Sequence, residues 1–448
     1  MNSQLSFQHT LAWPLPLALL GLAVSLATSE ASGIYQDGAS ARSKSLGGIA
    51  TAGARGPLDA LSANPAALSE VRRPTLDLGL DAGRVDGEFS NRSNDSAGLS
   101  DAGVKPHGAL SCPLGPVTLA LGFIPDAALR SAWTYRDAPG GLDGATSYGT
   151  RTHRSEIQVL RFAFGASYAI TPTLSAGAGL GLLYNRNQLE APYIIQTQPQ
   201  LRGAKVLLDL DTEGWGANGQ FGLVWKPAST LQIGLSYTLQ SRIRADGRAT
   251  ADAGRQLANL GLTGVDATAD FDAEVTNTFP QIASAGLAWQ PTGRLTLLGQ
   301  VDWIHWAAAF STLDVRLSDV DNDLYRALLA GKGDLDDDVP LRWRDQWVFR
   351  AGAEYALDER WTVRAGYRYA RNPVPDETLT PLTAVIGEHL VSTGVGFHTG
   401  RFTADLAWQW QLPASGHTDR SDLLTGEYSQ SDIQLSVHFL SLTARWEF

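Results

Sequence analysis

Cysteine is almost absent: the 448 residues contain one, Cys112, so no intrachain disulfide holds the fold together. Lysine is scarce as well. Arginine carries nearly all of the positive charge, a usage that favours carboxylate or phosphate pairing or equally reflects a GC-rich genome. Acidic residues outweigh both, and a net charge of -11 with a pI near 5.2 argues against a nucleic-acid partner. Long apolar runs are missing too: beyond the first thirty residues nothing approaches the roughly 20 apolar residues that a membrane helix needs. Although 44% of the chain is hydrophobic, the mean hydropathy is only -0.11, so the apolar residues are dispersed and helical spans are excluded. Catalytic constellations are equally sparse. The eight histidines do not cluster at metal-ligand spacing, there is no Gly-x-Ser-x-Gly elbow, and Gly177-x-Gly179-x-Gly181 sits in a strand pattern. Asp319, Asp321 and Asp323 have the spacing of a calcium loop, but Leu324 replaces the required glycine and Ala330 the bidentate acid, which leaves a solvated acidic loop. No cofactor or metal is expected.

What the chain does have is alternation. Leu11 to Leu26 is an apolar stretch followed by small residues at Ser29-Glu30-Ala31, which reads as an export signal over residues 1–31, although no Lys or Arg precedes it and Pro14 and Pro16 interrupt it. From Thr75 onward apolar and small or polar residues alternate with period two, as in Phe162 to Ile170, Leu174 to Tyr184, Leu231 to Gln240 and Phe402 to Trp410. About fourteen such strands can be read. Their links alternate between short (Pro113 to Pro116, Thr171-Pro172, Pro227 to Ser229, Pro291 to Gly293, Asp358-Glu359, His398 to Gly400) and long (Arg84 to Gly103, Asp126 to Ser155, Gln188 to Ala204, Ala249 to Asp270, Leu317 to Val339, Pro373 to Val385, Pro413 to Gln430). Short turns on one side and long loops on the other is the asymmetry of a bacterial outer-membrane β-barrel, and a soluble sandwich has no reason to sort its loops this way. Trp225, Trp289, Trp303 with Trp306, Trp347, Trp361, Trp408 with Trp410, and Trp446 fall at strand ends, where interfacial girdles would place them. The last strand alternates Leu440, Leu442, Ala444, Trp446, Phe448, resembling the signal read by the outer-membrane assembly machinery. Val437 and Phe439 have the opposite parity, so a bulge is expected near His438.

Ser32 to Pro74 does not fit the strand pattern: it is rich in Gly, Ala and Ser and contains Asn64-Pro65-Ala66. Further on come Thr278-Phe279-Pro280, Asp302-Trp303 with Trp306, Trp343-Arg344-Asp345-Gln346-Trp347, Arg364 to Tyr369, and Asn372-Pro373-Val374-Pro375-Asp376-Glu377. Together these resemble the outer-membrane transporters of long-chain fatty acids and other hydrophobic compounds over nearly the whole mature chain. Thr383 to His389 departs from that pattern. The resemblance implies residues 32–74 as an N-terminal hatch with Asn64, Pro65 and Ala66 as its motif, and residues 75–448 as the barrel. It further implies a monomer in outer-membrane lipid and lipopolysaccharide, no enzymatic activity, and a hydrophobic ligand that leaves sideways through a kinked third strand. By that analogy the exit is expected at Gly122, Phe123 and Pro125, where proline cannot donate to a ladder.

Two further sites come from the residues themselves. Leu189, Tyr193, Ile194 and Ile195 with Leu257, Leu260 and Leu262 make two apolar loops, either an outer landing site or two loops packed on each other. Parity turns Arg350, Glu354, Arg364 and Arg368 toward the lumen, with Glu354 near Arg364 and Arg350 near Arg368. The Arg350/Arg368 pair wants an anion, either a ligand carboxylate or an acid such as Asp302, Asp405 or one from the hatch. A barrel enzyme, with His438 and Ser441 as its only candidates, and a non-transporting surface or adhesion barrel are the competing functions.

Overall fold

A computed structural model describes residues 34–329 and 334–448; the expected export signal lies outside them. After the N-terminal segment with α1 (Ala41–Ser45) and α2 (Pro57–Ala63), the strands are β1 (Thr75–Asn91), β2 (Asn94–Leu114), β3 (Val117–Arg136), β4 (Thr150–Ala169), β5 (Leu174–Ile194) and β6 (Lys205–Ala228). There follow β7 (Leu231–Thr238), β8 (Ser241–Asp252), β9 (Thr268–Phe279), β10 (Ile282–Trp289), β11 (Leu295–Ile304) and β12 (Thr312–Ser318). The chain closes with β13 (Leu335–Pro340), β14 (Gln346–Ala356), β15 (Trp361–Ala370), β16 (His389–Thr399), β17 (Phe402–Thr418) and β18 (Ser431–Glu447). All pairings are antiparallel, and β1 pairs with both β2 and β18, so the sheet closes. The segments β7 with β8, β9 with β10, β11 with β12 and β13 with β14 are each two parts of one barrel strand, which makes fourteen strands, an even count as in bacterial barrels. Pro280, which has no N–H, marks the break between β9 and β10.

The alternation becomes an inside and an outside. Leu78, Leu80, Phe162, Phe164, Leu180, Phe221, Leu235, Phe349, Leu406 and Leu440 stand exposed around the wall as a lipid-facing band. Trp225, Trp289, Trp361 and Trp446 lie near the short turns, with Trp215, Trp347 and Trp408 toward the loops. Trp306 departs from the expected girdle: it is fully buried and packs against Tyr35, Phe310 and Trp343, because the chain leaves the sheet for a short helix there.

The hairpin of β1 and β2 is longer than its polar sequence implies. The expected loop from Arg84 to Gly103 is continuous ladder up to a tight turn at Asn91–Asn94, because Val85, Phe89, Ala97 and Leu99 still alternate inward onto apolar partners. Those partners explain β18 as well. Val437 and Phe439 point inward with no bulge, since the outer half of the lumen is itself apolar; the register shift lies in β17, between Gln411 and Ala414. The link between β15 and β16 folds into that space, where Leu379, Val385 and Ile386 join Phe89, Trp133 and Val437 in one buried cluster. Trp133 Nε1 donates to Pro381 O at 2.9 Å. Each such fully buried large side chain contributes roughly 1.5–3 kcal/mol.

Candidate functional site: the hatch, the wall and the broken strand

The N-terminal segment packs in the half of the lumen nearer the short turns. Asn64 is fully buried and satisfies three groups: its Oδ1 accepts from Ala66 N at 3.1 Å, and its Nδ2 donates to Thr51 O at 2.8 Å and to Leu223 O of β6 at 3.1 Å. Pro65 opens the following 3-10 turn, where a missing N–H costs nothing. Ala66 then lies on Gly177 of β5, where any side chain would overlap the hatch backbone. Other polar wall residues hold the hatch by its main chain: Gln300 Oε1 accepts from Ala50 N and Thr51 N at 3.0 Å each, Ser392 from Gly47 N at 3.0 Å, and Thr443 from Ala41 N at 2.8 Å.

Charge completes the attachment. Arg350 is the register partner of Arg368, and Glu354 of Arg364, all four buried and facing inward as parity requires. The anion between the two arginines is Asp37, a hatch residue: Arg350 Nη1 donates to Asp37 at 2.5 Å, and Arg368 Nε lies 3.4 Å from it. Arg350 Nε also donates to Asp302 at 2.9 Å. Of the two anions the sequence left open, a ligand carboxylate or an acid of the protein itself, the seated hatch supplies the second, with Asp37 and Asp302 as the acids. Glu354 accepts from Arg364 at 2.7 Å and from the hatch residue Arg42 at 2.9 Å, while Lys44 of the hatch reaches Asp81 of β1 at 2.5 Å. Asp37, Arg42 and Lys44 were missed in the sequence; charged residues in a Gly/Ala/Ser-rich segment were the available signal.

The third strand itself is continuous, but its pairing with β2 stops close to Gly122, Phe123 and Pro125. The ladder between β2 and β3 runs from Leu114↔Val117 only to Gly108↔Phe123, while β2 continues paired with β1 well beyond. Pro125 and Asp126 form a bulge against β4, and hatch residues bond β3 just above it, with Ala128 N donating to Ile34 O at 2.9 Å. Gly122 turns toward Leu61 of the hatch. Outside, Gly122 and Phe123 line an apolar groove of about 290 Å³ with Leu78, Leu110, Leu121 and Phe164. Inside, Pro125 lines a cavity of about 130 Å³ between hatch and wall.

The outer loops resolve differently from a single landing patch. Ile194 and Ile195 are buried, as is Leu257 on α3 (Gly254–Asn259), while Leu189 and Tyr193 are half-buried; all but Ile194 belong to or pack against the interior cluster around Leu208, Phe271 and Tyr325. Leu260 and Leu262 are exposed, as are Leu142 and Val265. The spacing could not tell mutual packing from display, and most of the set packs inward.

Beneath these loops lies a buried cluster that the sequence did not reveal. The Lys205 ammonium, with no exposed side-chain surface, contacts Asp137 at 2.7 Å and Glu427 at 2.9 Å and donates to Ala138 O at 2.6 Å, tying three outer segments together. Burial pushes the carboxyls of both Asp137 and Glu427 above the usual range, with Lys205 opposing that shift. An acid whose pKa is raised on closure stabilises the closed form fully below its ordinary pKa, and that contribution is lost as pH rises through the raised value. Amide exchange over residues 137–149 and 419–430, corrected for intrinsic rates, should therefore be slower at pH 5 than at pH 8; equal protection would contradict it.

His438 and Ser441, the candidate catalytic pair, face opposite sides of β18, with His438 stacked on Trp408 and Trp410 and Ser441 buried inside. Among the described residues no group of three or more His, Cys, Asp or Glu is placed to hold a metal.

A closed fourteen-stranded barrel, plugged from within by its N-terminal segment and with one strand pairing cut short beside the plug, has the architecture of an outer-membrane transport barrel. Comparison with known proteins places it further. The chain belongs to the family described as outer membrane protein transport protein (OMPP1/FadL/TodX), whose model matches residues 22–448. Its fold is similar to that of a Pseudomonas aeruginosa FadL homologue (17% identity, TM-score 0.70, covering 95% of this chain and 99% of that one). It is similar also to the Pseudomonas putida toluene transporter TodX (21% identity, TM-score 0.72, 93% and 100% covered). The Ralstonia pickettii toluene transporter TbuX matches at 21% identity and TM-score 0.68, with 92% and 99% covered. No curated protein matches the chain at a comparable level of significance.

Proposed function

We propose that this outer-membrane protein carries hydrophobic molecules, long-chain fatty acids or aromatic hydrocarbons, through a hatch-closed lumen and releases them sideways into the membrane at Gly122, Phe123 and Pro125. The observation that carries this reading is the broken β2–β3 ladder with a cavity on its inner side and an apolar groove on its outer side. An aqueous exit would cost a hydrophobic ligand roughly 0.8 kcal/mol for every methylene returned to water, and a lateral exit avoids that. Residues 1–31 serve as the export signal, 32–74 as the hatch with Asn64, Pro65 and Ala66 as its anchor, and 75–448 as the barrel. Exposed Leu260 and Leu262, with Leu142 and Val265, form the first apolar contact for an arriving ligand. A ligand carboxylate reaches Arg350 and Arg368 only after Asp37 withdraws, so headgroup capture follows hatch movement, while Glu354 neutralises the neighbouring Arg364. The barrel works as a monomer in lipid and lipopolysaccharide, and Phe448 is read by the assembly machinery.

Straightening β3 tests the exit. A variant with Asp126 deleted and Pro125→Val removes the bulge and supplies the missing N–H. Uptake of a labelled hydrophobic substrate should fall at least about tenfold while heat-modifiable migration still reports a folded barrel, the size expected when a closed wall replaces an opening. Undiminished uptake would reject the lateral route.

A further inference from the structure

The cavity beside the β3 break has two characters. Leu183 and Phe279 of one buried cluster and Ile124 of another give it apolar lining, while Thr51, Gln36 and Gln220 give it polar lining. Its volume of about 130 Å³ is too small for an extended acyl chain. It is close to the cavity of about 150 Å³ that accommodates one benzene ring. A single ring fits that space.

Polarity narrows the choice further. Thr51 is 1% exposed, and its hydroxyl has no hydrogen-bond partner among the described residues; the Gln36 side-chain N–H₂ has none either. A bare hydrocarbon would leave both unanswered, and a site with buried polar groups discriminates against ligands that cannot pair them. The charged groups on the cavity wall point away from an anion. Arg161 lies 3.1 Å from Asp126, and Arg350 lies 2.9 Å from Asp302 and 2.5 Å from Asp37. Each guanidinium already faces a carboxylate, so an added ligand carboxylate would be desolvated against near-balanced charge.

We propose that this cavity is a binding site for neutral monocyclic compounds bearing a hydroxyl group, the phenol class, in preference to both the parent hydrocarbons and the aromatic acids. The ring lies against Leu183 and Phe279. The hydroxyl, donor and acceptor at once, answers Thr51 or Gln36 on the hatch. The inference rests on reading the cavity as part of the passage, and it fixes the ligand chemistry of that passage when the hatch is seated.

Fluorine NMR titration of the full chain in lipid nanodiscs, with empty nanodiscs to subtract partition into lipid, separates the alternatives using 4-fluorophenol, fluorobenzene and 4-fluorobenzoate. One net hydrogen bond corresponds to roughly fivefold in affinity. The phenol should therefore bind at least about fivefold more tightly than either of the others. Thr51→Val should bring the phenol-to-fluorobenzene ratio to about one, and Thr51→Ser, which keeps the hydroxyl, should retain the preference. Should Thr51→Val fail to fold, Gln36→Leu and the wild-type ratio decide the matter. Equal or tighter binding of fluorobenzene, or tightest binding of 4-fluorobenzoate, overturns the phenol assignment while leaving the passage reading intact. If none of the three binds and none is transferred into the bilayer, both readings fall.

Discussion

Replacing Gly177 by alanine should unseat the hatch. A Cβ at this position of β5 would overlap the backbone of Pro65 and Ala66, and a backbone clash cannot be relieved by changing a rotamer. Overpacking in a filled core costs about 1–3 kcal/mol when side chains can adjust, so a penalty of at least about 3 kcal/mol is expected here. It falls on the turn that Asn64 anchors to Leu223. Gly179, two residues on and facing the same side, is the matched control: a Cβ there would meet nothing nearer than Phe164 O at 3.4 Å, an ordinary contact. In planar bilayers Gly177→Ala should therefore give a persistent ion conductance that wild type and Gly179→Ala lack. Identical conductance for all three would mean that the hatch does not depend on this contact.

The second large effect belongs to Lys205. Changing it to methionine keeps the stem but leaves Asp137 and Glu427 buried without the cation that joins them. Breaking a buried pair from one side costs about 3–5 kcal/mol, because the remaining charge is uncompensated. The loss should appear locally, as rapid protease cleavage and amide exchange at residues 137–149 and 419–430, with the strands between them still protected. Raising the pH should widen the difference between variant and wild type, since the orphaned carboxylates then ionise. Unchanged protease resistance would show that the apolar outer cluster alone holds the loops shut.

How much of this could be read from the chain depends on whether a feature is local. Period-two alternation is a property of neighbouring residues, so the barrel, its strand count and the inward direction of Arg350, Glu354, Arg364 and Arg368 were all legible, and the register pairs Arg350 with Arg368 as parity implied. The position of the wall break came from the family resemblance, with Pro125 in support; a strand proline alone does not mark it, since Pro106 and Pro192 keep their ladder partners. That an acid of the wall or the hatch could answer the arginines was legible too, but not which hatch acid: Asp37 lies 313 residues from Arg350, and no pattern in the sequence singles it out. The same holds for Lys205, whose partners come from two distant loops. Direction within an apolar loop was also illegible: Leu257 and Leu260 are three residues apart on one short segment, yet the first is buried and the second exposed. Trp306 and Val437 misled for a related reason. The lumen of this barrel is apolar in its outer half, so a hydrophobic side chain there does not mark the lipid face.

In the proposed function a hydrophobic molecule crosses this wall sideways while the hatch keeps the lumen closed to water and ions. The most direct measurement reconstitutes the full chain in liposomes and follows two quantities in the same sample: transfer of a hydrophobic solute into the bilayer, and leakage of small ions. Transfer should be well above that of empty liposomes with no added ion leakage, and it should be lost in the straightened β3 variant. Ion leakage without accelerated solute transfer, or transfer that persists unchanged when β3 is straightened, would contradict it.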